Sequence, residues 1–185
     1  MRAWPALPAG SDWPIFRPVE NHPPRSILFI CTGNIFRSMT AEYALKAALG
    51  PNPRYAVGSA GIEAIPQAMA PEVRERLLRR GIIPDGHRQR KLSAELLEAA
   101  HLPVAMGLDH REYVQRHFGR NLVLFNQVCF DKEEPLLDTW EAVPDFERNA
   151  QARRDYIAWV VDYLCASMPE FIANMERFII RPDLR

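Results

Sequence analysis

Three residues that could carry out covalent chemistry on an anion lie within eight positions of one another: Cys31, Arg37 and Ser38. A cysteine attacks as its thiolate, and the positive end of a helix together with a nearby arginine stabilises that form. The arginine guanidinium is a planar fork that matches two phosphate oxygens and can stabilise their charge during a reaction. Ser38 is placed to form a hydrogen bond with the sulfur. These residue types predict nucleophilic attack by Cys31 on a group held by Arg37.

The residues between Cys31 and Arg37 form a candidate anion-binding loop. Gly33 allows the backbone to turn and approach a ligand closely, and Asn34 tolerates the left-handed conformation that such a loop requires. Successive backbone N–H groups that point inward at the start of a helix make a nest for an anion. We therefore expect the following residues to bind the substrate: Thr32, Gly33, Asn34, Ile35, Phe36 and Ser38.

The elements around this loop must hold it in place. A short apolar run at residues 26–30 predicts a buried strand that leads into Cys31, and near-helical apolar spacing over 39–49 predicts the helix that follows. We also expect strands at 54–59, 102–106 and 122–125, and helices at 71–80, 93–100, 109–117 and 145–179, the last interrupted near 168. This order predicts an α/β fold with a four-stranded parallel sheet and helices on both faces. Cys31 would lie at the carboxyl end of a strand, where such sheets bind ligands.

The loop resembles that of a known enzyme family. Residues 31–38 read Cys-Thr-Gly-Asn-Ile-Phe-Arg-Ser, which is similar to the Cys-x-Gly-Asn-x-Cys-Arg-Ser loop of the low-molecular-weight protein tyrosine phosphatases, and an Ala-Glu pair follows as it does there. The match covers about residues 26–179. The resemblance implies hydrolysis of phosphotyrosine or related phosphomonoesters through a cysteinyl-phosphate intermediate. Cys31 would attack phosphorus, Arg37 would clamp the phosphoryl group, and no cofactor would be needed.

The resemblance also implies roles for residues outside the loop. Ser59 and His87 match the serine and histidine that support the loop in this family. Asp145 ends a Val-Pro-Asp segment similar to one that carries the family's general acid, which protonates the leaving oxygen. Asp145 could instead cap the helix expected to follow it, and Asp138 is a rival acid.

Several positions depart from the family pattern. Phe36 stands where a second loop cysteine is usual, so reversible disulfide protection of Cys31 should be missing. Gly107 replaces a usual aspartate, which predicts weaker support for the loop. Phe146 replaces the proline after the acid, and the usual aromatic wall is not evident there. Ile35 and Ile65 are the apolar candidates to contact a phosphotyrosine ring. In relatives that act on phosphoarginine, the loop position of Ile35 resembles threonine, so the isoleucine favours phosphotyrosine as substrate.

Two other functions fit parts of the sequence. Thioredoxin-coupled arsenate reduction uses a similar loop, but it needs two further cysteines near one another for disulfide exchange. Cys129 and Cys165 are 36 residues apart and are better explained as small apolar residues. The third candidate is a module that binds phosphate or phosphoproteins with little turnover, which the changes at Gly107 and Phe146 motivate.

The composition limits the kinds of partner and the cellular compartment that we expect for this protein. The chain has 185 residues, of which 48% are hydrophobic, a size that suits one compact domain. The 23 basic and 23 acidic residues cancel, which gives no support for nucleic acid or an anionic membrane as partner. The sequence shows no long apolar run, no secretory signal and no metal-ligand spacing. Three cysteines and a thiolate nucleophile predict the cytoplasm. The family resemblance implies a phosphorylated protein or a small phosphomonoester as substrate.

The first 25 residues differ from the rest. They contain six of the sixteen prolines, which disfavours both a helix and a central strand. Trp4, Trp13 and Phe16 could hold this segment against the domain surface. We therefore predict a proline-rich N-terminal arm at 1–25 and a phosphatase-like catalytic domain at 26–185.

Overall fold

A computed structural model of the protein describes residues 23–179. It contains one parallel sheet, whose strands are β1 (Arg25–Cys31), β2 (Tyr55–Gly61), β3 (Leu102–Ala105) and β4 (Val123–Leu124), in the spatial order β2-β1-β3-β4. The predicted four-stranded parallel sheet is confirmed. Residues 1–22 of the predicted N-terminal arm lie outside the described residues, and β1 begins within the predicted arm, at Arg25.

Strand β1 is central because both of its faces are apolar. Side chains alternate across a strand, so Ile27 and Phe29 join one hydrophobic core while Leu28 and Ile30 join another on the opposite face. All four are at most 5% exposed. A continuous apolar run is typical of such a strand, since a parallel sheet is covered on both sides.

Helices cover both faces of the sheet. The helices are α1 (Arg37–Leu49), α2 (Pro71–Arg79), α3 (Ala94–Glu98), α4 (Leu108–Phe118), α5 (Phe125–Phe130), α6 (Thr139–Ala142), α7 (Ala150–Ala166) and α8 (Met168–Asn174), followed by a 3-10 turn at Met175–Arg177. Helices α1, α2, α5, α7 and α8 contribute to the core that contains Phe29, whereas α3 and α4 contribute to the core that contains Ile30.

Two predicted elements were wrong in part. The strand expected at 122–125 has only two residues, because the chain turns at once into α5, where Phe125 and Val128 reach the core at helical spacing. The last helical region begins at α7, not at residue 145. Its N-cap is Asn149, whose side-chain oxygen accepts a hydrogen bond from the Ala152 N–H.

The sheet positions the candidate loop directly. Cys31 is the last residue of β1 and pairs in register with Gly61 of β2. Beyond that pair, the N–H groups of Ile62 and Glu63 donate to the carbonyl oxygens of Cys31 and Thr32, each at 2.9 Å. A Cβ atom on Gly61 would lie 2.5 Å from the Thr32 carbonyl oxygen, so this close approach requires glycine.

Candidate active site

The Cys31 sulfur lies at the centre of the loop that joins β1 to α1. The Asn34 N–H donates to it at 3.3 Å, and the Ser38 hydroxyl is 2.8 Å away. Asn34 has a φ of +55°, which confirms the predicted left-handed conformation. Cys31 is only 3% exposed, so little of this residue is accessible to a substrate.

A buried chain of polar side chains holds Asn34. Its Nδ2 donates to Ser38 Oγ at 3.0 Å and to Ser59 Oγ at 2.7 Å. Ser59 in turn donates to Glu42 Oε2 at 2.5 Å, and Lys46 forms an ion pair with the same carboxylate. The loop-supporting role predicted for Ser59 is therefore consistent with its contacts. Glu42 was not predicted, although it belongs to the Ala-Glu pair after the loop.

Residues 87–90 contact the outside of the loop. His87 Nε2 lies 2.8 Å from the Asn34 carbonyl oxygen, and Gln89 Nε2 donates to the Gly33 carbonyl oxygen at 2.8 Å. The Arg90 N–H donates to Asn34 Oδ1 at 3.0 Å. The carbonyl oxygens of Gly33 and Asn34 are therefore contacted from outside the loop, as expected for an anion nest, which binds its ligand through N–H groups. Gln89 and Arg90 carry no sequence motif that would have identified them.

Arg37 is 1% exposed and its guanidinium is only partly paired. Nη1 donates to the Leu136 carbonyl oxygen at 2.9 Å, while Nη2 donates to Asp138 Oδ2 at 2.5 Å and to Thr32 Oγ1 at 3.3 Å. Nε is buried and has no hydrogen-bond partner within residues 23–179. Leaving such a donor unpaired costs about 1–3 kcal/mol, so this N–H is a ready position for an oxygen of an anion.

The two candidate acids lie in different surroundings. Asp138 is the N-cap of α6 and forms an ion pair with Arg37. Asp145 is exposed and has a φ of +51°, and its carboxylate forms no hydrogen bond or ion pair with any described residue. Its backbone carbonyl oxygen accepts hydrogen bonds from the N–H groups of Arg148 and Asn149. The structure therefore brings Asp138, and not Asp145, to the loop.

A groove of about 330 Å³ opens beside Thr32. Trp140, which is 58% exposed, lines it two residues after Asp138, and Tyr113 lines another part. Trp140 was not predicted from the sequence, because the general acid was expected at Asp145. Ile65 is 64% exposed and is not part of the groove lining.

The loop side chains differ in what they offer a substrate. Ile35 is half-buried beside Gly33, whereas the Phe36 side chain belongs to the hydrophobic core. Phe36 can therefore contact a ligand only through its backbone.

His110 is a fully buried residue that the sequence analysis did not select. Its Nδ1 accepts a hydrogen bond from the Gly107 N–H at 2.8 Å, and its Nε2 lies 2.9 Å from Thr32 Oγ1. Burial lowers the pKa of His110 to about 3; the positive charge of Arg37 acts in the same direction and Asp138 opposes it. Gly107 was expected to weaken the loop, but its position lets His110 contact Thr32. The only sequence signal at this position is a lone histidine three residues after Gly107.

The other two cysteines do not approach the loop in the described structure. Cys129 is buried in the core, and burial raises the pKa of its thiol to about 12. Burial also raises the pKa of Cys165, and neither residue forms a disulfide. Within residues 23–179 no cluster of histidine, cysteine or acidic side chains could hold a metal ion. No helix in that range has the length and apolarity needed to cross a membrane.

The arrangement matches a known family. The sequence model of low molecular weight phosphotyrosine protein phosphatases matches residues 26–130. The chain belongs to this family. This confirms the predicted resemblance and, at the level of the family, the prediction of a cysteine-dependent phosphatase. The relatives do not favour arsenate reduction.

Individual relatives differ in the substrate that their names state. "Probable low molecular weight protein-tyrosine-phosphatase EpsP" of Ralstonia solanacearum is 33% identical over 141 residues, which cover 74% of this chain and 94% of that protein. A protein-arginine-phosphatase of Bacillus subtilis is 38% identical over 96 residues, which cover 51% of this chain but only 63% of that protein. The crystal structure of a YwlE mutant from Bacillus subtilis superposes with a TM-score of 0.69 at 26% identity, covering 82% of this chain and 99% of that one.

Proposed function

We propose that this protein hydrolyses phosphomonoesters, with phosphotyrosine as the preferred substrate, through a cysteinyl-phosphate intermediate on Cys31. The observation that carries the proposal is one loop that combines a sulfur contacted by the Asn34 N–H and the Ser38 hydroxyl with the unpartnered, buried Nε of Arg37. The inward N–H groups and the guanidinium would bind the phosphoryl oxygens and stabilise their charge in the transition state.

The reaction would proceed in two displacements. The Cys31 thiolate attacks phosphorus, the bond between phosphorus and the ester oxygen breaks, and Asp138 gives its proton to the departing oxygen. Water then attacks the phosphocysteine and passes a proton to Asp138, which releases inorganic phosphate and the thiolate.

Asp138 is our choice for the general acid because it contacts Arg37. Asp138→Asn should lower kcat by about 10²- to 10⁴-fold, since the amide cannot donate a proton in the same way. Asp145→Asn is the matched control, and it should keep nearly full activity because Asp145 lies on the surface. The opposite ranking in steady-state assays would return the acid role to Asp145.

Trp140 and Ile35 support an aromatic substrate. Trp140 lines the groove next to Thr32, where its exposed indole could stack on a phenyl ring. The arginine phosphatase among the relatives makes phosphoarginine the alternative to test. Turnover should be measured on peptides with phosphotyrosine, phosphoserine and phosphoarginine. A higher kcat/KM on phosphoarginine than on phosphotyrosine would overturn the substrate assignment.

The basic activity has a direct test. The wild type should release nitrophenol from para-nitrophenyl phosphate, and Cys31→Ser should abolish that release. If the wild type binds phosphate but releases no nitrophenol in a Cys31-dependent way, the protein is a binding module and not a phosphatase. We assign the activity to residues 26–185 and to a reducing compartment such as the cytoplasm, because such a compartment keeps thiols reduced. Its substrate would be a phosphorylated protein or a small phosphomonoester.

A further inference from the structure

We propose that His110 is a positioning residue for this site: it donates a hydrogen bond to Thr32, which fixes the Thr32 hydroxyl beside Arg37 and holds the guanidinium ready for a phosphoryl group. The inference rests on the proposed phosphatase function for its effect on turnover. Its effect on anion binding is independent of turnover, so the two can be tested separately.

The surroundings of His110 determine which ring nitrogen carries the hydrogen. A backbone N–H can only donate, so Nδ1 of His110 must be the acceptor in its contact with Gly107. The hydrogen of a neutral ring is then on Nε2, which faces Thr32 Oγ1. The side chain has no exposed surface, and besides these two contacts the half-exposed Asp109 carboxylate lies 3.3 Å from Nδ1. His110 therefore presents one fixed donor to the loop.

Thr32 connects this donor to the anion site. Its Oγ1 receives hydrogen bonds from His110 Nε2 and from Arg37 Nη2. A hydroxyl oxygen has two lone pairs, so both are used, and its own hydrogen is left to donate. Thr32 also lines the open groove, where that hydrogen could meet a phosphoryl oxygen. Arg37 Nη2 is the same nitrogen that contacts Asp138, so the position of Thr32 affects both proposed catalytic groups.

Two substitutions at His110 distinguish a role in hydrogen bonding to Thr32 from a role in packing alone. His110→Gln keeps an N–H donor at about the reach of Nε2. His110→Asn keeps an acceptor near Nδ1, for Gly107, but is too short for Thr32. A positioning role predicts that the Gln variant retains activity within about 3-fold of wild type, and that kcat of the Asn variant falls by about 10-fold. If His110 has only a structural role, the Asn variant should be the more active of the two, and the activity of each variant should vary with its thermal stability.

Thr32 supplies the matched test. Thr32→Val removes the hydroxyl at nearly constant volume and should lower kcat by about 10-fold, whereas Thr32→Ser should retain it. In the Thr32→Val background, the difference between Gln and Asn at position 110 should disappear, because the donor has lost its acceptor. Independent, multiplicative effects of the two substitutions would overturn the inference.

Binding of inorganic phosphate, measured by calorimetry on the same variants, gives a second result that does not need turnover. His110→Asn and Thr32→Val should weaken phosphate binding by a similar factor, and His110→Gln and Thr32→Ser should not. If the wild type shows no Cys31-dependent hydrolysis but this binding pattern holds, the proposed function fails and the positioning role stands. If all variants bind phosphate equally, the positioning role is wrong even where the wild type is an active phosphatase.

Discussion

The buried His110 should make the stability of the protein depend on pH in a defined window. Its pKa is about 3 in the folded protein, compared with an ordinary value of 6.5. The unfolded chain therefore takes up a proton as the pH falls below 6.5, while the folded protein keeps the ring neutral until about pH 3. Within this window, the contribution of His110 to the free energy of unfolding falls by about 1.4 kcal/mol per pH unit. Above pH 6.5 the contribution is constant.

The comparison of wild type with His110→Gln isolates this effect, because other titrating groups are common to both. Between about pH 7.5 and pH 5 the wild type should lose about 2 kcal/mol more than the variant, which corresponds to about 4–8 °C in Tm. Denaturant unfolding at several pH values measures it. Arg37 adds to the effect of burial, whereas Asp138 opposes it, and Asp109 lies 3.3 Å from Nδ1. Parallel loss of stability in the two proteins would refute a neutral, buried ring.

Three further substitutions test the geometry of the site. Gly61→Ala should impair phosphate binding and turnover by at least about 10-fold, because its Cβ would lie 2.5 Å from the loop backbone. Gly58→Ala is the control: its Cβ would meet only the movable end of the Arg90 side chain, so its effect in the same assays should be smaller. Ser59→Ala should lower the free energy of unfolding by about 1–3 kcal/mol, measured with denaturant, because it leaves buried polar partners unpaired. Trp140→Ala should raise KM for phosphotyrosine peptides several-fold and leave KM for small alkyl phosphates unchanged; equal changes would exclude stacking.

The parts of the site that could be predicted from the sequence are local in the chain. The apolar run of β1, the glycine turn and the start of α1 follow one another directly, so their order fixes where Cys31 and Arg37 lie. Asn34 was predicted to be left-handed from its residue type alone, and its φ of +55° agrees. The family resemblance added Ser59 and His87, which contact the loop from sequence distances of 25 and 53 residues.

The parts that could not be predicted depend on contacts between distant residues. Asp138 reaches Arg37 across 101 positions, and no local pattern distinguishes it from Asp145. His110 reaches Thr32 across 78 positions, and a lone histidine in a helix does not by itself indicate a functional role. Sequence spacing describes neighbours on one element, whereas these pairs are set by the order of strands in the sheet.

Because Arg37 and Asp138 form an ion pair, the site contains an anion that is part of the protein itself. A substrate competes with the Asp138 carboxylate for Nη2 of Arg37, whereas Nε is unpartnered. The same competition acts on the product, because inorganic phosphate must hold its place against Asp138 once the ester is gone. We expect this competition to weaken inhibition by inorganic phosphate, at the expense of weaker binding of free anions.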